Sequence, residues 1–122
     1  MKSGAKTWYF PDGYLPEKNI EGSLESHEAL MILNAGTSDA HINITIYFED
    51  KDPIKGIESL VLGERVKTLR LDHKEDMGGV IIPILTQYSL RIESDVDVVV
   101  QFGRLDATQT NLAYYGTMGF RE

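Results

Sequence analysis

The chain contains no cysteine, so neither a disulfide framework nor a thiolate metal site can hold it together, and stability must come from the core, alone or with partner subunits. No stretch approaches the roughly 18 consecutive apolar residues that span a bilayer, which argues against membrane insertion. The opening Met1-Lys2-Ser3-Gly4-Ala5-Lys6-Thr7 has charge but no apolar run behind it, so it does not read as a secretory signal, and a cytoplasmic location is expected. Positive charge is also scarce: 12 Lys and Arg stand against 19 Asp and Glu, the net charge is −7, and no basic stripe is visible, which disfavours nucleic acid as a partner. G-x-S-x-G, G-x-G-x-x-G and the P-loop are all missing, removing the usual sequence signs of a nucleophile elbow or a phosphate cradle.

What is present is strand pattern. At 122 residues, 42% hydrophobic and 25% charged, the chain has ordinary globular composition and the size of one domain, expected to cover residues 1–122. In residues 40–48, Ala40, Ile42, Ile44, Ile46 and Phe48 alternate with His41, Asn43, Thr45 and Tyr47, the period of two that divides a strand into a core face and a polar face. Residues 29–33 are apolar throughout, as in a strand covered on both sides, and Asn34-Ala35-Gly36-Thr37-Ser38-Asp39 supplies a turn between the two. Further strands are expected over residues 7–10, closed by a Pro11-Asp12-Gly13 turn, and over 57–62, 66–72, 88–93, 96–102 and 112–118. Residues 14–23 and 107–111 read as irregular connections. So does 73–79, with a brief helical turn, and 80–85 reads as an edge or irregular segment because Pro83 cannot donate to a ladder. About eight short strands without an amphipathic helix predict an all-β fold, an antiparallel two-sheet β-sandwich. The tripeptide Arg-Leu-Asp occurs at Arg70 and again at Arg104, a match too short to indicate a duplicated unit.

Few residues point to chemistry. His27 and Glu28 are neighbours and face opposite sides of a regular strand, so they do not form a ligand pair, and His27, His41 and His73 have no zinc spacing. No metal, cofactor or catalytic residue is assigned. The polar face His41, Asn43, Thr45, Tyr47 can meet solvent, another subunit or a polar small molecule such as a sugar, whose apolar faces suit aromatic rings. Trp8, the single tryptophan, reads as core or as ligand contact. Arg104 and Asp106 share a face if their strand continues, close enough for an ion pair or for two contacts to one ligand. The apolar end, with Leu112, Tyr114, Tyr115 and Met118, needs a core or a neighbour to cover it.

Trp8 with Gly13-Tyr14-Leu15-Pro16, Ser26-His27-Glu28, Ile32-Leu33-Asn34-Ala35-Gly36, Asp39-Ala40-His41, Ile44-Thr45-Ile46-Tyr47, Val99-Val100-Gln101 and Arg104-Leu105-Asp106 together resemble the Anabaena sensory rhodopsin transducer family, in the same order and over most of the chain. The resemblance implies a β-sandwich, a homotetramer, and a non-catalytic role in signalling or small-molecule sensing. It also implies a ligand pocket, for which Trp8, His27, Glu28, Asn34, Arg104 and Asp106 are the matched polar or aromatic positions. Two partner classes follow, a small polar ligand and a membrane photoreceptor or regulatory protein. A third reading, an enzyme with a subunit-interface site near His27, has no substrate implied by the sequence.

Overall fold

The structure is a computed structural model that describes residues 3–17, 25–107 and 112–122. Most of the expected irregular stretch around Asn19 and Gly22, and the polar connection from Thr108 to Asn111, lie outside the described residues. The described elements are β1 (Ala5–Tyr14), β2 (His27–Asn34), β3 (Ala40–Phe48), β4 (Ile54–Val61), β5 (Arg65–Arg70), β6 (Gln87–Asp106), β7 (Ala113–Met118) and β8 (Phe120–Arg121). Every pairing is antiparallel. The fold is therefore the expected antiparallel β-sandwich.

The two layers meet in one strand. The first half of β6 lies between β3 and β1 in a sheet ordered β4-β3-β6-β1-β8, while its second half lies between β2 and β7 in a sheet ordered β5-β2-β6-β7. The sequence pattern suggests two strands here, over 88–93 and 96–102. The chain makes one of 20 residues, because Ser94-Asp95 contains neither Gly nor Pro and the even-numbered apolar phase runs on from Tyr88 to Phe102, while the pairing with β1 shifts register between Ala5 and Thr7. Likewise the Pro11-Asp12-Gly13 turn proves to be a bulge inside β1: Phe10 pairs with Leu90 and Gly13 with Tyr88, leaving Pro11 and Asp12 looped out and exposed. The missing Pro11 amide hydrogen costs nothing there, since a bulged residue has no ladder partner.

Between the layers, Leu30 and Ile32 of β2 and Val100 and Phe102 of β6 meet Ile44 and Ile46 of β3, all at most 1% exposed. Each such side chain removed from water contributes roughly 1.5–3 kcal/mol. Phe10 and Phe102 stack across the sandwich with centroids 6.1 Å apart. β2 is not covered on both faces as its composition suggests: Leu33 is 43% exposed, because the outer side of its sheet has no layer over it among the described residues. In the segment after β5, one turn of i to i+3 bonds brings Met77 into the core, and residues 80–85 form no strand.

Gly13 is constrained by what lies against it. A methyl group at this position falls 2.4 Å from two carbons of the Tyr88 ring, which is fully packed. Gly13→Ala is expected to lower stability by about 1–3 kcal/mol, the usual cost of overpacking. Urea denaturation with an unchanged midpoint would show instead that the ring can retreat.

Candidate functional site

Alternation along β2 puts Glu28 on the same side as Leu30 and Ile32, so a carboxyl group enters the interior at the end of the second sheet. Its side chain is completely buried. Glu28 Oε1 accepts hydrogen bonds from the Tyr88 hydroxyl at 2.6 Å and from the Tyr14 amide at 3.0 Å, and that amide also approaches Oε2 at 3.2 Å. Arg104, directly opposite in the β2–β6 register, donates its Nε to Oε2. One carboxylate thus ties β1, β2 and both halves of β6 together. The guanidinium carbon of Arg104 also sits 5.3 Å from the centre of the Tyr115 ring on β7, and its Nη2 is buried without an acceptor among the described residues.

Burial pushes the Glu28 carboxyl above its ordinary 4.5, against the pull of the Tyr88 hydroxyl, Arg104 and the Tyr14 amide. For the guanidinium burial works the other way, and the hydrogen bond and charge of Glu28 override it and hold Arg104 protonated. Burial and the neighbouring carboxylate both raise the Tyr88 hydroxyl, which therefore stays a donor. The set is an anchored ion pair with its proton donors in place.

Beside this cluster, a groove of about 390 Å³ opens between the β1 bulge and β7. Phe10 and Phe102 form its floor, and Asp12, Tyr115, Met118 and Phe120 stand around it. Asp12 is the only charged group lining it among the described residues. The arrangement can hold a ring or an aliphatic stem against aromatic surface and meet a cation or a hydrogen-bond donor at the carboxylate.

Of the six positions picked out by the sequence, four gather at this end of the second sheet. Glu28 and Arg104 pair directly, His27 lies opposite Leu105, and Asp106 closes β6. His27 is half-buried, with Nδ1 3.0 Å from the Glu25 carbonyl. Trp8 and Asn34 lie elsewhere. Trp8 is 3% exposed and its indole N–H reaches the carbonyls of Val98 at 3.0 Å and Ala5 at 3.2 Å. Asn34, at the far end of β2, donates to the carbonyls of Ser38 and Val61 and accepts from the Gly36 amide, so it fastens the β2–β3 turn. The polar set on β3 forms the outer face of the first sheet. Thr45 is buried there, at 3.5 Å from Arg91 Nη2, and the His41 amide and ring hold the Asp95 carboxyl below its usual range. Sequence reasoning missed Tyr88 and Tyr115 as members of the cluster. The signal for Tyr88 was available, since alternation with Leu90 and Ile92 buries its phenol and a buried hydroxyl needs a partner.

Removing the carboxyl in Glu28→Ala strands the guanidinium, a phenol and an amide in a dry interior, and is expected to cost about 3–5 kcal/mol. The pH dependence has a defined sign. A carboxyl with a higher pKa folded than unfolded binds more protons in the native state, so its contribution is complete below 4.5 and is lost as pH rises through the folded value. The stability of the native chain relative to Glu28→Gln therefore declines from acid toward neutral pH in denaturant titrations. A rise would show that attraction to Arg104 outweighs burial.

The same architecture is found elsewhere. A family profile described as Anabaena sensory rhodopsin transducer matches residues 3–121. A Thermotoga maritima protein, described as the crystal structure of Thermotoga maritima 1070, is 39% identical with a TM-score of 0.86, the match covering 98% of this chain and 96% of that one. The solved structure of the Anabaena sensory rhodopsin transducer is 36% identical with a TM-score of 0.75, covering 88% of this chain and 93% of its own. A comparison with proteins of curated function gave no match. With the profile spanning nearly the whole sequence and two relatives above a third identical, the chain belongs to the Anabaena sensory rhodopsin transducer family.

Proposed function

We propose that the chain is a non-catalytic signalling module that acts by recognition, working in the cytoplasm as a homo-oligomer, a tetramer as the family resemblance implies. The observation that carries this reading is the match to a transducer family over residues 3–121, together with a relative that is itself named a transducer. A small polar ligand, sugar-like in size and shape, is the first input. Support for it comes from the groove beside Glu28 and Arg104, whose aromatic floor and single carboxylate suit a ring with hydroxyl or amine groups. In this reading His27, Glu28, Arg104 and Asp106 shape the end of the site, while Trp8 and Asn34 hold the framework around it. Binding to the native state raises stability by about 2.7 kcal/mol at a ligand concentration 100 times the dissociation constant. A thermal-shift screen of sugars and nucleotides is expected to find a compound that stabilises the chain and loses its effect on Tyr115→Ala. A screen without a shift removes the small-ligand reading.

The second reading is docking to a membrane photoreceptor or a regulatory protein, favoured by the name of the Anabaena relative. Vesicles carrying a sensory rhodopsin are expected to co-sediment with the chain, whereas vesicles of the same lipids without it are not. Equal sedimentation with both overturns docking.

A further inference from the structure

The sheets leave four strands at their edges, β4 and β8 in one and β5 and β7 in the other. Natural edge strands are usually blunted by charge, a bulge or brevity, because unpaired backbone groups otherwise template another strand. Three of these follow the rule. β5 carries Arg65, Lys67 and Arg70; β4 carries Lys55 and Glu58 and bends at Gly56, whose φ is +80°; β8 is only 2 residues long. β7, Ala-Tyr-Tyr-Gly-Thr-Met, has neither charge nor proline, and all 6 of its residues are exposed. It stays in register with β6 along its whole length, from Asp106–Ala113 to Gln101–Met118, so its outer edge is straight and open among the described residues.

The second observation is what adjoins that edge. Tyr115 lies opposite Arg104 and therefore faces inward, as does Thr117, and both line the groove whose one charged group among the described residues is Asp12. A strand added to β7 would send alternate side chains toward this groove, where Phe10, Phe102 and Tyr115 offer aromatic surface to a long stem and Asp12 offers a carboxylate to its end. The chain as a whole carries −7, which attracts basic segments.

From the open edge and the acidic groove beside it, we infer that β7 is the docking edge for an extended, Lys- or Arg-containing segment of a partner protein. The segment adds a strand to the second sheet and places a basic side chain between Tyr115 and Asp12. Main-chain hydrogen bonds to β7 supply the affinity, and the groove supplies the choice of side chain. This inference rests on the docking reading above and names the surface that docking uses.

Three labelled eight-residue probes test it by fluorescence anisotropy: an alternating lysine–valine peptide, its glutamate–valine counterpart, and the lysine–valine peptide N-methylated at every residue. The lysine peptide is expected to bind and to slow amide exchange within Ala113–Met118. The glutamate peptide should bind about tenfold more weakly or not at all. Loss of the amide hydrogens should cost a similar factor of about ten, because charge is unchanged and only the ladder is gone. Asp12→Asn, at an exposed bulge, should weaken the lysine peptide by about three- to fivefold without altering the fold. No lysine-peptide binding, or binding indifferent to N-methylation and to Asp12→Asn, overturns the inference. So does concentration-dependent protection of the β7 amides without any peptide, which would assign the edge to a second copy of the chain. If the rhodopsin vesicles bind and the lysine peptide does not compete with them, the edge assignment fails while docking stands. If neither binds, both fail.

Discussion

One continuous strand fixes the relation between the two layers. Because β6 pairs with β1 and β3 through its first half and with β2 and β7 through its second, no rotation of one sheet against the other is possible without breaking β6. The position of everything at the far end of the second sheet is therefore inherited from the pairing of residues 88–94 with β3. Arg104 faces Glu28, and Tyr115 faces Arg104, because the ladder leaves no other register. The groove lies where β1 bulges away from β7, so a looped-out Pro11-Asp12 in the first sheet creates space that the straight β7 in the second does not close.

The buried ion pair is an expensive way to join these parts. An apolar pair of the same volume often serves stability as well or better, since both charges lose water on burial. What the carboxylate adds is geometry. It accepts from a backbone amide on β1, a phenol in the first half of β6 and a guanidinium in the second, and an apolar side chain could satisfy none of these donors. The contrast with the other Arg-Leu-Asp copy is instructive. Arg70 binds Asp72 of its own tripeptide through two bonds of 2.7 and 2.8 Å, a local pairing, whereas Arg104 reaches across to another strand. The same three residues thus take different roles because only the second copy has a buried acid opposite it.

How much of this could be read beforehand follows the physics of each signal. Residues 40–48 are legible to the residue, because strict alternation specifies both a strand and its inner face. β2 was found, but its apolar run concealed which face is open, since period two cannot be seen where every residue is apolar. Pro-Asp-Gly looked like a turn on local preference, and long-range pairing with β6 turned it into a bulge. The break expected between Glu93 and Val96 fails for the opposite reason: Ser94-Asp95 interrupts the apolar set although its phase runs on, and the sequence has no way to say that the chain changes sheet there instead of reversing. Glu28 and His27 are legible as site residues through resemblance alone, Arg104 and Asp106 also through the face they share on one strand. Their convergence at one end depends on register between strands far apart in the chain, and no single-strand pattern carries that.

Signalling needs more than a contact path. The chain from the groove through Tyr115 to Arg104, on to Glu28, and from there to the Tyr14 amide and Tyr88 is physically contiguous. Contiguity alone transmits nothing, since an occupant shifts an equilibrium only by binding two arrangements unequally. The link best placed to have two arrangements is Arg104. Its Nε is engaged by Glu28, while its buried Nη2 has no acceptor among the described residues, so a hydrogen-bonding group near Tyr115 would meet an available donor. A rotation of the guanidinium toward such a group would lengthen the bond to Glu28 and leave the carboxylate to Tyr88 and the Tyr14 amide. The Tyr14 amide and Tyr88 stand beside the β1 bulge, one of the places where the first sheet's register is interrupted, and there the Pro11 carbonyl and Asp12 are held by the side chains of Ser89 and Gln87.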